Sequence, residues 1–107
     1  VGTVAGVLTP QEAARDRYLR RKYGISLEDY NTILAHQGGK CAICRCDPPK
    51  SGRAFHVDHD HRTGKVRGLL CWTDNHDVVG RLRDPERLRA AARYLERPPA
   101  DEALLAT

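Results

Sequence analysis

The stretch that decides the fold is AFHVDHDHRTGKVRGLLC, residues 54–71. Its flanks, residues 54–58 and 65–70, are rich in Val, Leu and Phe and predict two short strands, with Arg62-Thr63-Gly64 as the turn of a hairpin. Between them His56-Val57-Asp58-His59-Asp60-His61 packs three His and two Asp into six residues. Alternate residues of a strand share a face, so His56 and Asp58 point one way and Val57 and His59 the other. A carboxylate and an imidazole are thereby neighbours with different aims. A hard cation such as Mg²⁺ takes few protein oxygens and keeps several waters, which one Asp plus one further oxygen ligand supplies. An adjacent His is the side chain suited to taking a proton from water, while the metal stabilises charge on a phosphodiester. The plainer reading is a polar hairpin end, and the density of chemistry in so small a chain argues against it.

Working outward, Cys41-Ala-Ile-Cys44 precedes the hairpin and Cys71 closes it, 27 residues after Cys44. A paired-knuckle zinc site expects a fourth ligand three residues on, and position 74 is Asp. Zinc accepts carboxylate oxygen as well as thiolate, so Cys41, Cys44, Cys71 and Asp74 are the expected structural set. His76 and Cys46 are rivals for the fourth place, although Cys46 lies so close to Cys44 that a shared tetrahedron looks strained. Cysteines serving only as small buried hydrophobes do not account for a CxxC between Gly38-Gly39 and Pro48-Pro49.

Helices flank this core. Thr9-Pro10 opens one over residues 10–23, stopped by Gly24 and basic through Arg15, Arg17, Arg20, Arg21 and Lys22. Ser26 with Asp29 resembles a capping box for a second helix that ends near Gln37. Residues 75–83 carry Val78, Val79 and Leu82 on one face, and Asp84-Pro85 opens a further helix to Glu96, ended by Pro98-Pro99. The expected organisation is a loose lead-in over 1–8, a single domain over 9–97 and a flexible tail over 98–107.

The 107 residues hold 18 Lys+Arg against 14 Asp+Glu, four Cys, one Trp and one Phe. So few bulky residues build a small core and call for a staple. Apolar runs fall far short of the roughly 20 residues that cross a bilayer, which excludes a membrane-spanning chain. With no secretory signal in view, a reducing cytoplasm is expected, where metal outranks disulfide. The chain has no Met, which leads to the expectation of a processed product. Arg62, Lys65 and Arg67 lie beside the His-rich tract, where they can hold nucleic-acid phosphates. Arg87, Arg89 and Arg93 read better as solvated helix surface, and Trp72 as packing. A thiol redox role for Cys41 and Cys44 lacks the strand-helix context of that motif.

Taken together, Tyr23-Gly24-Ile25 and the helix after it, Cys41-Ala-Ile-Cys44, HVDHDH at 56–61, Gly64-Lys-Val-Arg-Gly-Leu-Leu-Cys71 and Asn75 resemble the recombination endonuclease VII branch of the HNH nucleases, over about residues 23–96. The resemblance implies a small α+β fold: a ββα-metal, treble-clef-like core with zinc knuckles between N-terminal helices and a C-terminal helix. It implies a metal-dependent endonuclease acting on DNA, with Mg²⁺ or Mn²⁺ at the reaction centre and structural Zn²⁺. Asp58 and Asn75 are then the metal ligands, His59 the general base and His61 a phosphate or transition-state contact. Two departures stand out. The family's second CxxC is here Cys71-Trp-Thr-Asp74, and the C-terminal chain used for dimerisation and junction recognition is not matched, so preference for branched DNA is not carried over. A homodimer or a recruiting protein are the partners expected beside DNA. A DNA-binding zinc module without catalysis is the alternative.

Overall fold

The computed structural model describes residues 7–105; the lead-in expected over 1–8 falls mostly outside them. The described residues form a small α+β fold with four α-helices, a two-stranded sheet and one π-helical turn. They divide into two compact units between Trp72 and Thr73.

In the first unit, α1 (Pro10–Tyr23) starts from a capping box. Thr9 Oγ1 accepts from the Glu12 amide, and Glu12 accepts from the Thr9 amide. Gly24 ends the helix in the left-handed region at φ 73°. Helix α2 (Leu27–His36) begins with the expected Ser26–Asp29 box. Asp16 of α1 also accepts from the Leu27 amide at 2.8 Å, so one side chain both satisfies an orphan donor of α2 and fixes the corner between the helices. That hydrogen bond, with Arg20 beside it, holds the Asp16 carboxyl below the usual carboxylate range.

The hairpin forms as strands β1 (His56–His59) and β2 (Val66–Leu70), paired antiparallel. Leu19, Tyr30, Cys41, Phe55, Val57, Leu69 and Leu70 make the buried core, all from the first unit. Tyr30 donates to the Phe55 carbonyl at 2.8 Å, which ties α2 to the entrance of β1. Gln37, just past α2, does more. Its Nε2 donates to the carbonyls of Lys40 (2.8 Å) and Leu69 (2.9 Å), and its Oε1 accepts from the Leu69 amide (2.9 Å). A single side-chain amide thus meets both polar groups of a strand residue, as a neighbouring strand would.

The second unit begins with a π-helical turn, Asp74–Val78, in which the Val79 amide donates to the Asp74 carbonyl at 3.0 Å. An insertion of this kind is uncommon and concentrates at functional sites. Helix α3 (Pro85–Glu96) follows with Asp84 as N-cap, as its Asp-Pro start predicts. Within 98–107, expected as a tail, lies α4 (Pro99–Leu105), and Arg97 pairs with Glu102 at 2.7 Å. Pro98-Pro99 ends α3, and Pro99 also opens α4, since proline is at home in the first turn of a helix. Among the described residues no helix is long and apolar enough to cross a membrane.

Candidate metal centre and hairpin site

The chain turns through Gly38 and Gly39, both in the left-handed region, and delivers Cys41 to the core. The Arg45 amide donates to the Cys41 carbonyl at 3.2 Å, and the Cys41 amide to the Cys46 carbonyl at 3.0 Å, closing a tight loop. Arg45 itself sits at φ 65°, a conformation non-glycine residues rarely hold. That turn brings Cys46 back toward Cys44. The sulfurs of Cys41, Cys44, Cys46 and Cys71 all lie within 4.8 Å of one another. Two ligands about 2.3 Å from a tetrahedral zinc stand about 3.8 Å apart, and Cys44 and Cys71 Sγ are 3.8 Å apart. The Cys71 amide points at Cys41 Sγ at 3.4 Å, a donor that steadies thiolate charge.

Four thiolates can therefore hold one zinc ion, and the group that lies together takes in Cys46, one of the rivals for the fourth place beside Asp74 and His76. The strain foreseen for Cys44 and Cys46 in one tetrahedron is relieved by the left-handed Arg45 between them. Asp74 is buried in the π-helical turn of the second unit, and His76 pairs with Asp77 at 2.7 Å. The Ala42 amide donates to the Leu69 carbonyl, so the zinc loop is laced to β2 by backbone as well as by Gln37.

The hairpin carries the other constellation. Asp58 is buried on β1, and Arg67 grips it with two hydrogen bonds, Nε to Oδ2 at 2.8 Å and Nη2 to Oδ1 at 3.0 Å. This fork raises the Arg67 pKa above its usual value. Arg67, expected as a nucleic-acid phosphate contact beside Arg62 and Lys65, is paired with the Asp58 carboxylate, while Arg62 and Lys65 are exposed on the turn.

His59 and His61 stack face to face, centroids 4.7 Å apart and planes 7° from parallel. The Tyr23 ring, at the end of α1, lies 5.5 Å from His59 on a tilt of 58°. Burial pushes the Tyr23 hydroxyl pKa up. Lys22 covers the rings of Tyr18 and Tyr23, and Arg15 covers Tyr30 at 5.0 Å, so part of the basic face of α1 is spent on aromatic packing.

Asp60 has a different job from Asp58. Its Oδ1 accepts from the Arg62 (2.7 Å) and Thr63 (3.2 Å) amides, and its backbone pairs with Lys65 and Gly64. These donors, Arg62 first, hold its carboxyl below the usual range. It builds the turn. Asn75 stands in the π-helical turn, four residues after Cys71 in sequence.

Sequence reasoning missed Gln37, which reads only as a polar residue at a helix end, and gave Tyr23 no role beyond its motif. The one available signal for Cys46 was its spacing, Cys-x-x-Cys-x-Cys.

Comparison with known proteins bears on this arrangement. The family profile of recombination endonuclease VII matches residues 16–97. The gene 59 protein of Mycobacterium phage D29 is 47% identical over 83 residues, covering 77% of this chain and 50% of that protein. Its counterpart in Mycobacterium phage L5 is 45% identical over 83 residues with the same coverage. The chain thus spans about half the length of these curated relatives. No solved structure gives a significant match.

Proposed function

The chain belongs to the recombination endonuclease VII family, and on that premise we propose that it is a metal-dependent HNH endonuclease that hydrolyses DNA phosphodiester bonds in the cytoplasm. The observation that carries the reading is the hairpin: a buried Asp58 carboxylate directly followed by His59, whose ring stacks on His61 and lies against Tyr23.

Asp58 is a strand carboxylate next to a nitrogen base, the donor type a hard divalent cation takes, and Arg67 must yield those oxygens for the ion to bind. In this reading Asp58 and Asn75 would be the residues that hold Mg²⁺ or Mn²⁺. The bound ion supplies neutralisation of charge on the scissile phosphate and its leaving oxygen. His59 takes a proton from the attacking water at a ring nitrogen as the water oxygen bonds to phosphorus. The phosphorus–oxygen bond to the departing sugar breaks, and that oxygen gains a proton from solvent. His61 contacts the phosphate. Its stacking on His59 sets the plane of the base, and Tyr23 limits its swing. Arg62 and Lys65 hold neighbouring phosphates without reading sequence. The four-cysteine zinc site, laced to β2, keeps the hairpin rigid.

The test is cleavage of supercoiled plasmid by the zinc-loaded chain with Mg²⁺ or Mn²⁺, beside EDTA and His59→Ala. Metal-dependent nicking that falls at least about a hundredfold in the variant, with DNA affinity kept, is expected. Undiminished nicking in His59→Ala would remove His59 as base. DNA binding without any cleavage by the folded parent chain would favour a binding module.

A further inference from the structure

Asp58 and Arg67 are on paired strands but are not partners. Val57 pairs with Leu69 and Asp58 with Gly68, and then His59 pairs with Val66, which leaves Arg67 as an extra residue in β2. In an unbroken ladder the residue next to Gly68 faces away from the side Asp58 shares with it. A bulge re-aims such a side chain, and here the guanidinium occupies both oxygens of Asp58. Gly68, opposite Asp58, contributes no side chain to compete. The Arg67 side chain is 39% exposed against 12% for Asp58, so the arginine is the more solvent-open member of the pair.

A guanidinium and a divalent cation repel each other when both sit at bonding distance from one carboxylate. Arginine forks match phosphate as well as carboxylate. We propose that Arg67 is the resident counter-ion of Asp58 and couples metal loading to nucleic-acid binding: a phosphodiester of the bound strand draws Arg67 away, and the freed carboxylate takes the divalent cation. This rests on the metal-dependent nuclease reading above. Arg67 is then a positioning residue that acts through Asp58. Coupling is reciprocal, so the chain alone binds the cation weakly, DNA tightens it, and the cation tightens DNA by the same factor.

The test measures Mn²⁺ binding from the electron paramagnetic resonance signal of the free ion, on the zinc-loaded chain carrying His59→Ala so that added duplex DNA survives. DNA is expected to tighten Mn²⁺ about tenfold or more. Adding Arg67→Gln tightens Mn²⁺ about tenfold without DNA and leaves DNA with less than about a threefold effect. Arg67→Lys, which keeps charge without the fork, falls between. An unchanged or weaker Mn²⁺ affinity in folded Arg67→Gln overturns the proposal. So does a parent chain whose Mn²⁺ affinity ignores DNA, a result that needs no Arg67 variant to fold. Asp58→Asn separates the two layers. If it binds Mn²⁺ as the parent does, the cation is not at Asp58 and the metal assignment fails. If it loses Mn²⁺ while Arg67→Gln gains nothing, the coupling alone fails.

Discussion

Replacing Gln37 by Ala removes three hydrogen bonds at once, two to Leu69 and one to Lys40. They are not equivalent. The Leu69 carbonyl keeps the Ala42 amide as a partner, and the Lys40 carbonyl is near enough to the surface to find water. The Leu69 amide, in a residue with no solvent exposure, is left without its acceptor. A buried donor so stranded costs about 1–3 kcal/mol and each remaining bond about 0.5–1. The sum is about 2–5 kcal/mol, which at about 4–8 °C per kcal/mol for a domain near this size lowers Tm by about 8–40 °C. Urea and thermal unfolding of the zinc-loaded chain measure it. Gln37→Glu is the companion, since it loses the donor and sets a carboxylate against two carbonyls, and its loss should be no smaller. A loss below about 1 kcal/mol in both variants refutes the idea that this side chain stands in for a strand.

Cys46→Ala removes one of four thiolates; a quarter of the about 10–16 kcal/mol typical of structural zinc is about 3 kcal/mol, or about a hundredfold weaker zinc in chelator competition. Asp74→Ala should leave zinc affinity within about threefold, and the reverse pattern would return Asp74 to the site. Because the Asp60 carboxyl is lowered in the folded chain, its contribution is complete above the ordinary value of 3.8 and is lost as pH falls through the lower folded value. The stability gap between wild type and Asp60→Asn should therefore shrink as pH drops below about 4, the zinc contribution being common to both chains. A Cβ at Gly80 would collide with the carbonyl oxygens of Asn75 and His76. Gly80→Ala should rearrange the π-helical turn, weaken Mn²⁺ binding about tenfold or more and slow cleavage in step, while zinc binding is unchanged; unchanged Mn²⁺ affinity would detach Asn75 from the cation.

The features visible in the sequence are those fixed by local chemistry. The capped helix starts at Thr9 and Ser26 announce themselves by hydroxyl and carboxylate three residues apart, and the hairpin by apolar strands around a Gly-containing turn. What stayed hidden depends on backbone torsions or register that residue type does not mark. Arg45 in the left-handed region decides that Cys46 joins the sulfur group, and nothing about arginine advertises that conformation. The bulge that turns Arg67 onto Asp58 follows from which residues pair, and a chain read in one dimension carries no pairing. Pro99 opens α4 although the same residue, read from its other side, ends α3.

The division of labour between Asp58 and Asp60 makes identical letters answer to different rules. Asparagine keeps an oxygen able to accept the Arg62 and Thr63 amides, so position 60 tolerates the loss of charge. At position 58 the same exchange of one atom strips the charge that Arg67 answers. In a library screened for cleavage, Asp→Asn should be a near-silent allele at one site and a lethal one two residues away. A substitution matrix that scores aspartate by type would give both the same value, and would misjudge one of them.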